Sequence, residues 1–147
     1  MASDTKFKIL AKLVDGDYHS GEDIGHQLNI SRSAVSSHIK SLSKLGLDIF
    51  SVTGKGYKLA NRINLLDRSA ILAQSTQSTS LEVVQVTEST NADLMSKVRS
   101  GANIPDGHVV LAEAQTSGRG RRGREWQSPC GSHIYFSQYR ILDDALA

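Results

Sequence analysis

The run Gly118-Arg119-Gly120-Arg121-Arg122-Gly123-Arg124-Glu125-Trp126 holds four arginines and three glycines, closed by the chain's single tryptophan. Glycine reaches backbone conformations that other residues avoid, so such a segment can follow a ligand closely. Guanidinium groups offer charged, paired donors that suit a phosphate or a carboxylate, and an indole presents a flat apolar face to a ring. The chemistry this points to is enclosure of a small anionic ligand, a nucleotide among the candidates. Arginine–glycine clusters also occur in unfolded tails that bind nucleic acid, and the flanks separate the two readings. Residues 107–114 read as a buried strand and residues 131–139 as a second strand rich in aromatics. A glycine-rich segment between two strands is a binding loop.

A second constellation, Thr87-Glu88-Ser89-Thr90-Asn91, stands between a strand expected over 81–86 and a helix expected over 92–98. Hydroxyls and an amide in that place are first of all helix caps. They can also hydrogen-bond a polar ligand group at the positive end of the helix. A further helix is expected over 65–73, followed by the polar stretch 74–80.

The first sixty residues must form something else. Phe7, Leu10, Leu13 and Val14 recur at helical spacing over 6–14 and Gly16 follows, a helix-ending glycine. Ser20 precedes Glu22 and Asp23, a cap with carboxylates at the positive helix end. Ser31 caps a third helix over 32–45, in which Val35, Ile39 and Leu42 share one face, extended by Leu45 before Gly46. The other face carries Arg32, Ser33, Ser36, Ser37, Lys40 and Lys44 and no carboxylate. Short polar and cationic side chains let a helix approach the DNA major groove and meet phosphates or base edges. Residues 48–59 then read as a hairpin, with Phe50 and Val52, and Tyr57 and Leu59, expected to point inward around the turn Thr53-Gly54-Lys55-Gly56. Lys55 and Lys58 add charge to that hairpin. Three helices and a hairpin make a winged helix-turn-helix, with Ser31, Arg32, Ser33, Ser36, Ser37, Lys40, Lys55 and Lys58 as candidate DNA contacts. The alternative use of such a domain is protein contact.

The chain has 147 residues and a formal net charge of +2, with the basic excess concentrated in the first 62 residues. That length accommodates one ordinary domain or two small ones. Cys130 is the only cysteine, which excludes an internal disulfide and fits a reducing cytoplasm. No apolar run is long enough to span a membrane and the N-terminus has no secretory pattern. The five histidines show no spacing suited to a structural metal.

Taken in order, these features resemble the bifunctional biotin protein ligases that are also biotin operon repressors. Three carry the likeness: the N-terminal winged helix, the Ser89-Thr90-Asn91 triplet before a helix, and Gln115 followed by the glycine–arginine run and Trp126. The resemblance implies an α+β chain, with a winged helix-turn-helix over 1–63 and the first part of a mixed-sheet biotin- and adenylate-binding catalytic domain over 64–147. It implies activation of biotin with ATP, magnesium accompanying the nucleotide, to biotinoyl-5′-AMP. Transfer to a lysine of the biotin carboxyl carrier protein of acetyl-CoA carboxylase would follow. The adenylate would also serve as corepressor, favouring a homodimer on biotin operator DNA in the cytoplasm. By similarity, Ser89, Thr90, Asn91, Gln115, Arg119, Gly120 and Arg121 would bind biotin. Arg119 and Arg121 would be catalytic, and Gly118, Arg122, Gly123 and Trp126 would complete the adenylate loop, with Trp126 near the adenine.

The family pattern continues beyond the last residue, with a Lys-Trp-Pro-Asn-like segment, further strands and a small β domain, so the chain is expected to be part of a longer protein. Two other readings stay open. One is a ligand-responsive transcription regulator without ligase activity. The other is an RNA-binding protein using its Arg-Gly tract, which predicts salt-sensitive, sequence-tolerant binding and no response to biotin.

Overall fold

A computed structural model describes residues 2–76, 80–120, 122, 124 and 126–142. Arg121 and Gly123 of the candidate loop lie outside the described residues. The chain divides into two compact units, one of residues up to Leu65 with Pro129–Gly131, the other of Leu66–Ser128 with the residues from Ser132 onward.

In the first unit, α1 (Ala2–Leu13) buries Phe7, Ile9, Leu10 and Leu13. It ends where Gly16, at φ 72°, donates its backbone N–H to the Leu13 carbonyl at 3.0 Å. The helix α2 (Gly21–Leu28) is capped by Ser20, whose hydroxyl accepts from the N–H groups of Glu22 and Asp23. It stops at Asn29 in the left-handed conformation, which asparagine tolerates better than most residues. The helix α3 (Arg32–Ser43) buries Val35, Ile39 and Leu42. It is one turn-end shorter than the expected 32–45, with Lys44 as its C-cap.

The hairpin is β1 (Ile49–Val52) paired antiparallel with β2 (Gly56–Leu59). His19 and Tyr57 exchange both backbone hydrogen bonds at 2.8 Å, which adds a third short rung beside β2. One expectation is overturned here. Phe50 and Val52 are exposed, at 48% and 38%. The register pairs Ile49 with Leu59 and Ser51 with Tyr57. Side chains alternate faces along a strand, so Leu47, Ile49 and Leu59 point inward together and Phe50 points out with its partner Lys58. A choice of parity displaced by one residue reverses every side chain of a strand, and the apolar Phe50 and Val52 invite that error.

The second unit begins with α4 (Arg68–Gln74), capped by Asp67, whose carboxylate accepts from the N–H groups of Ser69 and Ala70 at 2.8 and 3.0 Å. Then come β3 (Leu81–Thr87), α5 (Thr90–Arg99), β4 (Val109–Gln115) and β5 (Tyr135–Gln138). The sheet order is β3-β4-β5, parallel between β3 and β4 and antiparallel between β4 and β5. Parallel strands need a crossover, and α5 is that crossover. The whole is α+β, a winged helix-turn-helix followed by a mixed sheet. The central strand β4 buries Val110, Ala112 and Ala114. The strand expected over 131–139 is paired over β5 and continued by Tyr139, which donates to the His108 carbonyl and accepts from the Gly107 N–H, while Gly131 lies in a turn at φ 69°.

Glu113 is the exception on β4, a carboxyl only 5% exposed that accepts a hydrogen bond from the Leu66 backbone N–H. Burial raises its pKa above the usual carboxyl value, and the Leu66 N–H opposes that shift. The folded state therefore keeps the proton to higher pH than the unfolded chain, so stability falls as pH rises from the unfolded to the folded pKa. Glu113→Gln retains an acceptor for Leu66 and has no charge to bury. Urea melts at about pH 4 and about pH 8 should show a flatter pH profile for the variant and greater stability than the parent at the higher pH.

Candidate functional site

Parallel strands direct their carboxyl ends toward the crevice where α/β sheets bind ligands. In the second unit those ends are Thr87 and Gln115, register partners on β3 and β4. After Thr87 the chain turns directly into α5. Ser89 is the N-cap, its hydroxyl accepting from the Ala92 N–H at 3.5 Å, and Thr90 and Asn91 form the first turn. The helix thus starts earlier than the expected residue 92, which leaves Ser89 as the cap and puts Thr90 and Asn91 inside the helix.

A cleft of about 600 Å³ opens at this place. Ser89, Thr90, Asn91, Gln115 and Arg119 all line it. Gly118, Gly120, Arg122 and Trp126 lie outside the described lining. The apolar side of the cleft comes from Met95 and Phe136, with Phe136 60% exposed. These two, and Arg99 and Ser137, are lining residues that the sequence reading did not single out. The outward phase of β5 was the available signal for Phe136.

The polar side chains have distinct duties. Thr90, 3% exposed, donates both its backbone N–H and its hydroxyl to the Gln115 side-chain oxygen, at 2.9 and 3.3 Å. Its hydroxyl also meets that of Ser137 at 2.9 Å. Thr90 therefore braces the start of α5 against β4 and β5, whereas Asn91 is exposed. The backbone continues the brace: Thr116 and Ser117 donate to the carbonyls of Thr87 and Glu88, each at 2.9 Å.

The glycine–arginine run leaves β4 from this corner. Gly118 is buried, and a Cβ there would lie 2.8 Å from the Ser128 hydroxyl, 3.1 Å from the Trp126 carbonyl oxygen and 3.3 Å from the Gln115 amide nitrogen. Trp126 donates its N–H to the Gly118 carbonyl at 3.1 Å, and Gly120 donates to that of Arg124 at 2.8 Å. The base of the run is thus a closed bend that requires glycine at position 118. Arg122 holds a positive φ of 61° and is exposed. Trp126 is 59% exposed, its ring edge beside Gly120.

In the first unit, Arg32, Ser33, Ser37 and Lys40 are exposed on α3, and Ser36 is half-buried. On the wing, the ammonium groups of Lys55 and Lys58 stand 5.7 and 5.4 Å from the Tyr18 ring centre, close enough for cation–π attraction. Ser31 caps α3, accepting from the Ala34 N–H at 3.1 Å and meeting the Ser33 hydroxyl at 2.9 Å. Ser31→Ala should cost about 1 kcal/mol. A thermal melt should show this as a drop of roughly 4–8 °C in a unit of this size. An unchanged melt would mean that the cap is dispensable.

No three of His, Cys, Asp and Glu come together among the described residues in a way that could hold a metal ion. Among the described residues no helix is long and apolar enough to cross a membrane.

Comparison with known proteins gives the two units separate matches. Residues 5–58 match a family of HTH domains, and residues 83–139 match the biotin/lipoate A/B protein ligase family. The chain is 41% identical over 140 residues to a bifunctional ligase/repressor of Escherichia coli, which covers 95% of this chain and 42% of that protein. It is 34% identical over 127 residues to the bifunctional ligase/repressor of Bacillus subtilis, covering 82% of the chain and 38% of the relative. A biotin–[acetyl-CoA-carboxylase] ligase of Mycobacterium tuberculosis is 50% identical over 64 residues, 43% of this chain and 24% of its own length. The chain thus spans about two-fifths of the length of the bifunctional relatives it matches.

Proposed function

We propose, for a chain whose residues 83–139 match the biotin/lipoate A/B protein ligase family and which is 41% identical to a bifunctional ligase/repressor over 42% of that protein's length, that the whole protein joins biotin to ATP, forming biotinoyl-5′-AMP and pyrophosphate. It then transfers biotin to a lysine of the biotin carboxyl carrier protein of acetyl-CoA carboxylase and represses transcription from biotin operator DNA. The observation that carries this is the meeting of Ser89, Asn91, Gln115 and Arg119 around one cleft at the carboxyl ends of two parallel strands.

In this reading the ring system of biotin takes its polar contacts from Ser89, Asn91 and the amide nitrogen of Gln115, with Thr90 keeping Gln115 in place. Met95 and Phe136 offer apolar surface to the remainder. The biotin carboxylate attacks the α-phosphorus of ATP, the new carbon–oxygen–phosphorus link forms and pyrophosphate leaves. Two anions must approach one another in that step. A guanidinium fixed beside them offsets the repulsion and stabilises the charge that develops, the role assigned to Arg119 and, by resemblance, to Arg121. Trp126 would pack near the adenine, with Gly118, Gly120, Arg122 and Gly123 shaping the backbone around the adenylate.

Magnesium commonly binds nucleotides through phosphate oxygens with one or two carboxylates. Among the described residues no three of His, Cys, Asp and Glu come together as a protein cage for it. On the first unit, Ser31, Arg32, Ser33, Ser36, Ser37 and Lys40 would face the major groove, with Lys55 and Lys58 on phosphates. The adenylate would act as corepressor by favouring a homodimer that spans two half-sites.

The test is incubation of the purified chain with biotin, ATP and magnesium, followed by mass spectrometry for biotinoyl-adenylate. Adenylate above the ATP-free control is the expected result if this region suffices for the first step. With no adenylate and no biotin binding, alongside intact operator binding, the alternative stands: a DNA-binding regulator without ligase activity.

A further inference from the structure

Tyr18 carries no charge and lies outside both α3 and the hairpin, yet the two wing ammonium groups converge on its ring. It stands in the turn between α1 and α2 and is 41% exposed. The backbone is fixed on both sides of it. Asp15 accepts the Asp17 N–H at 2.9 Å and pairs with the His19 ring at 2.9 Å. His19 also exchanges both backbone hydrogen bonds with Tyr57. That antiparallel register, carried one residue further, sets Tyr18 opposite Lys58, and the hairpin register sets Lys58 opposite Phe50. Residues directly opposite one another share a face, so Lys58 stands in a row between two exposed aromatic rings. Its ammonium lies 5.4 Å from the Tyr18 ring centre, and that of Lys55, reaching back from the turn, lies 5.7 Å from it.

Among the described residues no carboxylate pairs with either ammonium. Two uncompensated cations on one neutral ring suit a polyanion. A lysine stem is flexible, and fixing it in a complex costs rotamer freedom. Attraction to the electron-rich face of a ring draws the ammonium into a narrower region beforehand. Part of that ordering is then already done when a phosphate arrives.

We infer that Tyr18 is a positioning residue of the DNA interface, whose ring gathers Lys55 and Lys58 for phosphates of the duplex backbone. This rests on the reading that the winged helix binds DNA. The ring carries the role, through the lysines, and the hydroxyl is dispensable.

The probe is a labelled DNA duplex of mixed sequence, since phosphate contacts are independent of sequence. Its binding to the full chain is followed by fluorescence anisotropy at several salt concentrations. Tyr18→Leu and Tyr18→Gln remove the ring with and without an apolar replacement, which guards against a folding defect in either. Each should bind about three- to tenfold more weakly than the parent. The slope of log affinity against log salt should fall by about one phosphate contact. Tyr18→Phe keeps the ring and should bind as the parent does. In a chain that already carries Lys55→Ala and Lys58→Ala, removing the ring should make no further difference. A merely structural role, or contact of Tyr18 itself with DNA, would carry the same loss into that background and leave the salt slope alone. Either result overturns the positioning role, as does parental affinity in both ring-less variants, and the DNA reading survives all three. No binding by the parent at low salt removes the DNA reading itself, and the role of Tyr18 with it.

Discussion

Arg119→Ala, made in the full-length protein, is expected to slow formation of biotinoyl-adenylate by about 10²–10³-fold, the usual loss when one fixed donor is removed from developing charge. The residue lines the cleft with Ser89, Asn91 and Gln115, and it leaves the sheet from a bend whose base is pinned by the buried Gly118. In the proposed reading, a guanidinium at that place would stand beside the reacting anions. The loss should fall mainly on kcat, because the charge it meets grows toward the transition state. Arg119→Lys should recover only part of the rate, since a single ammonium cannot reproduce paired, planar donors. Pyrophosphate release under saturating biotin and ATP measures this directly. A rate within threefold of the parent would remove Arg119 from the chemistry and leave it a surface residue of the cleft.

Most of what made the site legible in the sequence is local. Ser20, Ser31 and Ser89 each cap the helix that follows them, and a cap is a relation between residues two or three apart. Gly16 and Gly46 take the positive φ that ends a helix. The glycine–arginine run falls between β4 and β5, as its flanks suggest. The features that were not legible join distant residues. Thr90 meets Ser137 across 47 positions, and Leu66 meets Glu113 across the same separation. No periodicity encodes such pairs, since they exist only once the sheet has brought the segments together. Thr90 lines the cleft, and the mixed sheet also gives its hydroxyl two internal partners. The wing fails differently. Its alternation of apolar residues was visible, but Phe50 and Val52 carry the alternation outward. The inward phase is set by Leu47 and Leu59, which are buried, and by the pairing of His19 with Tyr57 beyond the hairpin.

That pairing leaves Gly56 without room for a side chain. Its φ is 99°, and an added Cβ would lie 2.0 Å from the His19 carbonyl oxygen and 2.6 Å from the carbonyl carbon. Both partners are backbone, so no side-chain rotation relieves the clash. Gly56→Ala must therefore break the two His19–Tyr57 hydrogen bonds or force the turn out of its conformation. The strain of a side chain at positive φ and two lost hydrogen bonds together come to about 3–4 kcal/mol, a large share of the stability of a small domain. The consequence for DNA is specific. Lys55 and Lys58 stand beside Tyr18, the residue that precedes His19 of that rung, so opening the rung is expected to displace them. Operator affinity should drop, and the slope of log affinity against log salt should fall by about two phosphate contacts. Gly54→Ala is the control: that glycine also has a positive φ, 80°, but its added Cβ meets nothing within 4 Å, so it adds strain without opening the rung. Biotin binding, assigned wholly to residues of the other unit, should be unchanged in both variants. Equal operator affinities and equal salt slopes in the two variants would show that the wing lysines do not touch phosphate, and would confine DNA recognition to α3.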